Sequence, residues 1–143
     1  MKLLRFGLKG QEKPGILDGN GQIRSLENII TDLNGDALSP DSLIKLAHID
    51  PYTLPLIHSD TRIGPCVAQP GKFLCVGLNY LDHAKETGCL LPREPVLFSK
   101  ATSAINGPYD DVIIPRGSQK TDWEVELGIV IGTAAKYVSK ENA

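Results

Sequence analysis

Asp122-Trp123-Glu124-Val125-Glu126-Leu127-Gly128-Ile129-Val130-Ile131-Gly132 is a stretch in which apolar residues recur at every second position. Trp123, Val125, Leu127, Ile129 and Ile131 share one face if the stretch is a β-strand, because successive side chains on a strand point to opposite sides. The other face carries Glu124, Glu126, Gly128, Val130 and Gly132. The alternation predicts a strand over 122–132 with one wholly apolar face. It sets the Cα atoms of Glu124 and Glu126 about 6.6 Å apart, two strand rises. Carboxylates at that spacing can turn inward onto one hard cation, and the glycines beyond leave room for a ligand. If both faces are covered, the two charges call for a cation or a shared proton. Taken alone, such a pair is more often two glutamates facing water on a half-exposed strand.

The chain has 143 residues, 41% of them hydrophobic and 22% charged, which is the composition of a globular domain with a real core. The formal net charge is -2 and there is no basic run, so no nucleic-acid partner is expected. No apolar stretch approaches a membrane span, and the first residues lack a signal-peptide core; a cytoplasmic protein with no membrane partner is expected. Cys66, Cys75 and Cys89 match no zinc spacing. Cys75 lies in an apolar run and reads as a core thiol, whereas Cys89 follows Gly88 in a loop.

Upstream of the acidic stretch the chain divides at its prolines. Leu3, Leu4, Phe6 and Leu8 seed a strand, and Gly15–Asp18 and Gln22–Arg24 flank Gly19-Asn20-Gly21, a hairpin signal. Ser39-Pro40-Asp41 opens a helix, with Ser39 at the N-cap and Pro40 at the first helical position. Leu43, Ile44, Leu46 and Ala47 give it an apolar stripe. From Tyr52 to Gly71 the chain is punctuated by proline and reads as an extended connector. A boundary there separates a small N-terminal domain, 1–69, from a second region, 70–143.

In that second region Phe73–Gly77 is a continuous apolar run, expected as a buried strand. Asn79 or Asp82 can cap a short helix that Gly88 closes. His83 and Glu86 stand three apart on it and share a face. A carboxylate beside an imidazole raises its basicity and fixes its tautomer, though a solvated pair on a surface helix has the same spacing. Val96-Leu97-Phe98 is a strand that delivers Ser99 and Lys100, and Val112-Ile113-Ile114 is a further short strand.

Three stretches in fixed order resemble the fumarylacetoacetate hydrolase family: Cys75-Val76-Gly77-Leu78-Asn79-Tyr80 with His83-Ala84 and Glu86, then Pro95-Val96-Leu97-Phe98-Ser99-Lys100, then Asp122-Trp123-Glu124-Val125-Glu126-Leu127-Gly128. The resemblance implies an α+β, mainly β fold: a small N-terminal domain plus the first part of a mixed β-sandwich roll, usually assembled as a homodimer. It implies a metal-dependent hydrolase or lyase acting on a 2-oxo acid or related small carboxylate. The reaction would be C–C bond hydrolysis, decarboxylation or hydration through a metal-stabilised enolate. Glu124 and Glu126 then match two carboxylate ligands of a magnesium ion, with manganese or calcium as substitutes. His83 and Glu86 match a catalytic dyad on a lid, Lys100 a catalytic lysine, and Asn79 and Tyr80 substrate-binding positions. The family's third metal ligand, an aspartate, would fall beyond Ala143, so the chain is expected to correspond to the first half of a member. The alternative is a non-catalytic fragment or interaction module that keeps half of the fold.

Overall fold

The computed structural model describes all of residues 1–143. They gather into two compact units, one of Met1–Ala68 with Gly107–Ala143 and one of Gln69–Asn106.

The first unit is built on a three-stranded antiparallel sheet: β1 (Leu3–Phe6), β2 (Lys13–Leu17) and β3 (Ile23–Ser25), in that order across the sheet. The hairpin signal at Gly19-Asn20-Gly21 holds, and Asp18 organises it. Its buried carboxylate accepts hydrogen bonds from the backbone N–H of Asn20 (2.9 Å) and Gln22 (3.0 Å), and from Arg24 Nε (2.8 Å). Gly21 supplies the left-handed φ of +76° that the return needs. Burial alone would raise the Asp18 carboxyl, but these donors outweigh it and hold it below its ordinary value.

Pro14 lies on the central strand, where a missing N–H ordinarily costs a ladder bond. Its carbonyl accepts from Leu26 N at 2.9 Å, so its nitrogen also faces β3, where that strand has already ended at Ser25. The Leu26 carbonyl, which a donor at position 14 would have used, instead accepts from Ile29 N (2.8 Å) and Ile30 N (3.0 Å). The proline therefore leaves no carbonyl orphaned.

Both faces of the sheet are covered. Leu4, Phe6 and Ile23 pack with Leu17, Ile57 and Ile63 on one side, and Ile16, Leu26 and Leu46 with Leu3, Ile30, Ile49 and Leu54 on the other. Leu46 comes from α1 (Pro40–Ala47), which Ser39 caps through its side chain onto Ser42 N. Of the expected apolar stripe, Leu46 is buried and Leu43 half-buried, whereas Ile44 and Ala47 face solvent.

The proline-punctuated connector does more than join regions. Pro55 O accepts from Ser25 N (2.9 Å) and Ile57 N donates to Ile23 O (2.9 Å), which covers the β3 edge. Further on, Arg62 O accepts from Gly7 N (2.9 Å) and Gly64 N donates to Arg5 O (2.8 Å), which covers the β1 edge. One stretch thus satisfies both exposed edges of the sheet, the usual liability of a small open β structure.

The second unit holds β4 (Phe73–Gly77), α2 (Leu81–Glu86) and β5 (Val96–Lys100). β4 and β5 pair antiparallel, from Phe73 opposite Lys100 to Gly77 opposite Val96. The run 73–77 is a strand as expected, but it is not buried: Leu74 is 63% exposed and Cys75 only half-buried. A ribbon of two strands has too little surface of its own to cover both faces.

The strands expected at 112–114 and 122–132 do not form, and no residue after Lys100 joins a β-ladder. Alternation chooses which face is apolar, but a strand exists only through hydrogen bonds to a neighbour. After this stretch Lys140–Asn142 makes one 3-10 turn with Ser139 at its N-cap.

Candidate functional site

The residues singled out for chemistry fall in both units. Asn79, Tyr80, His83, Glu86 and Lys100 lie in the second, and Glu124 and Glu126 in the first.

Within the second unit the strand-to-helix turn is sharp. Leu78 takes a left-handed φ of +51°, unusual for a branched side chain. This turn passes the chain from β4 to Asn79 and Tyr80, both exposed. Neither Asn79 nor Asp82 caps α2. Tyr80 is the N-cap and makes no side-chain cap bond, while Asp82 accepts from the neighbouring His83 N at 3.1 Å. The C-terminus is closed as the sequence predicts. Gly88 has φ +68°, its N–H reaches Lys85 O at 3.2 Å, and Cys89 N reaches Ala84 O at 2.9 Å. This paired closure of the last carbonyls is the Schellman arrangement. His83 and Glu86 are both exposed on this helix, three positions apart, and make no hydrogen bond to one another. Lys100 ends β5 opposite Phe73, on the ribbon face that also carries Cys75, Val96 and Phe98.

Within the first unit Glu124 and Glu126 are exposed. Their carboxylate oxygens are the donors a hard divalent cation takes. The arrangement is not a closed centre, because no group of three or more His, Cys, Asp or Glu side chains gathers to hold a metal ion.

Residues before and after this acidic stretch lie against the rest of the first unit. Arg62 donates from Nε to Asp110 Oδ1 (2.6 Å) and from Nη2 to Asp110 Oδ2 (2.5 Å). It also donates from Nη1 to Glu12 Oε1 (2.9 Å) and to Gly7 O (3.0 Å). Arg5, itself buried, grips Asp32 with two bonds of 2.7 and 2.9 Å and lies 3.7 Å from Glu12. The bidentate bond from Arg62 holds the Asp110 carboxyl down at about 2, and Asp110 in turn raises Arg62 above its ordinary value. Burial pushes Glu12 up, but its backbone donors with Arg62 and Arg5 leave it below the usual carboxylate value. At the far end, a Cβ on Gly132 would lie 3.2 Å from Leu38 O, just ahead of α1. This ion network joins residues far apart in the sequence. No spacing in the sequence marks Arg62 as the partner of Asp110, 48 residues away.

The fold is α+β and mainly β, and it holds the Glu124/Glu126 pair and the short helix with His83 and Glu86. The profile described as "Fumarylacetoacetate (FAA) hydrolase C-terminal" matches residues 72–143. The chain belongs to the fumarylacetoacetate hydrolase family. It is similar to a protein of Burkholderia ambifaria named "Putative hydrolase", 59% identical over 143 residues, all of this chain and 51% of the relative. A protein of Burkholderia lata with the same kind of name is 57% identical over the same span, again 51% of its length. The chain therefore spans about half the length of the curated relatives it matches. Among solved structures it is similar to one described as "a putative HpcE protein from Mycobacterium smegmatis", with a TM-score of 0.57 and 27% identity, over 82% of this chain and 42% of that one. No helix is long and apolar enough to cross a membrane.

Proposed function

We propose that this chain carries part of the active site of a metal-dependent hydrolase or lyase that acts on a 2-oxo acid or a related small carboxylate. The supporting observation is that all the chemistry-bearing residues, from Asn79 to Glu126, fall inside the family-matched region 72–143. Residues 1–69 are the small N-terminal domain in this reading, and 70–143 the first part of the catalytic domain. Glu124 and Glu126 would hold a magnesium ion, or manganese or calcium, with further oxygen ligands from outside this chain's residues. The cation, when bound, supplies Lewis acidity to the substrate's carboxylate and keto oxygens. His83 takes a proton from water or substrate, and Glu86, one turn along the same helix, fixes its tautomer. Lys100 offers a positive charge to the carboxylate end of the substrate, and Asn79 and Tyr80 position that substrate.

The test is a manganese titration followed by calorimetry, on this chain joined to the part of the Burkholderia ambifaria relative that it does not span. Glu124→Ala with Glu126→Ala is expected to weaken binding at least about tenfold, since even second-layer changes around a metal cost about that much. An unchanged affinity would remove the basis for the metal assignment.

A further inference from the structure

We infer that Arg62 and Asp110 are positioning residues for the acidic pair: they pin the chain where it returns to the first unit, and so shorten the loop that carries Glu124 and Glu126. Residues 69–106 leave the first unit and the chain re-enters it at Gly107. Before the departure Ala68 is fixed, its N–H donating to Leu33 O at 2.8 Å. On the return the turn Gly107–Asp110 is fixed. A Cβ on Gly107 would come within 2.7 Å of Ile63 O, so the backbone approaches closely there. Asp110 closes the turn, with its N–H donating to Gly107 O (3.2 Å) and its Oδ2 accepting from Gly107 N (3.1 Å). Both its carboxylate oxygens also take the Arg62 guanidinium. Arg62 is in turn held on β1's edge, because its carbonyl accepts from Gly7 N and its Nη1 donates to Gly7 O. A guanidinium fork on a carboxylate fixes direction as well as distance.

The pair is not needed to assemble the sheet. Neither apolar cluster of the first unit includes a residue beyond Ile63. An apolar contact would stabilise the unit with less desolvation, whereas two parallel N–H···O bonds specify an orientation. What they orient is the chain after residue 106. From Asp110 to Gly132, which lies against Leu38 O, there are 22 residue steps. Without the clamp the loop runs from Ala68 to Gly132, 64 steps. The chance of a given placement falls as about the 3/2 power of loop length, so this tripling makes any one placement of the two carboxylates about fivefold rarer. The consequence for metal binding rests on the function proposed above; the restraint on the loop does not.

The restraint is therefore tested without metal. In the 143-residue chain Cys66, Cys75 and Cys89 are changed to serine, and spin labels are attached at Lys45→Cys on α1 and at Gln119→Cys, both exposed positions. Pulsed electron resonance in EDTA reads the spread of distances between the labels. Asp110→Asn and Arg62→Gln are each expected to widen that spread, and the two together to widen it no further than either alone, because both break the same bond. Far-UV circular dichroism should be unchanged in all three. Manganese calorimetry on the joined protein described above should then show binding about fivefold weaker in either single variant. Spreads that overlay that of the unaltered chain overturn the inference, as does a double variant in which the two effects add. A wider spread with manganese affinity unaltered, in a protein whose binding is abolished by Glu124→Ala with Glu126→Ala, overturns it too. Manganese affinity indifferent to Glu124→Ala with Glu126→Ala would instead remove the metal reading, and the labels alone would decide the clamp.

Discussion

Replacing Leu26 by alanine tests the account of the first unit's core most directly. Leu26 is fully buried and packs with Ile16 from the central strand and Leu46 from α1. Truncation removes three side-chain carbons, worth about 2.4 kcal/mol at roughly 0.8 kcal/mol per buried carbon. Incomplete collapse of the space left behind brings the cost to about 3 kcal/mol. For a domain whose whole stability is about 5–15 kcal/mol that is a large fraction. With a urea dependence of about 2 kcal/mol per molar, the midpoint falls by about 1.5 M. Ile44, on the same helix but 59% exposed, is the control, and Ile44→Ala should cost less than about 0.5 kcal/mol. Urea unfolding of the 143-residue chain followed by far-UV circular dichroism measures both. Equal shifts for the two variants, or a loss below about 1 kcal/mol for Leu26→Ala, would show that α1 does not pack on the sheet as described.

Three further outcomes are expected. Asp110 has a carboxyl held at about 2 in the folded chain, below its ordinary 3.8, so its contribution is complete at neutral pH and disappears as pH falls from about 4 toward 2. Asp110→Asn should flatten that part of the stability–pH curve, and an unchanged acid limb would rule out the Arg62 clamp. Leu78 holds a φ of +51°, so Leu78→Gly should raise the melting temperature or leave it level, the strain relieved offsetting about 1 kcal/mol of added backbone freedom; a clear loss would mean the leucine side chain contributes more than the strain. Gly15 lies under the Phe6 ring, where an added Cβ would meet Phe6 Cδ1 at 2.9 Å, so Gly15→Val should cost about 1–3 kcal/mol in thermal unfolding.

What could be read in the residues is what local chemistry controls. β1, the Asn-Gly hairpin, the Ser39 cap with Pro40 behind it, and the Gly88 closure of α2 each depend on side chains within a few positions of the backbone groups they satisfy. The identities of the candidate site residues were legible for the same reason: a His/Glu spacing and a Glu-x-Glu alternation are properties of short segments. Their placement was not. His83 and Glu86 share a helix with no hydrogen bond between them, and Glu124 and Glu126 lie on a stretch that joins no ladder, because alternation names a face but cannot supply a neighbour.

The tertiary structure alone decided the contacts made across long separations. The connector at 55–64 covers both sheet edges, Pro14 is tolerated in the central strand because Leu26 O finds Ile29 and Ile30, and Arg62 finds Asp110 across 48 residues. Each is a pairing of ordinary groups whose partner is chosen by how the chain folds back. No window of sequence contains both members of such a pair, which is why chemistry could be assigned from residues and the company they keep could not.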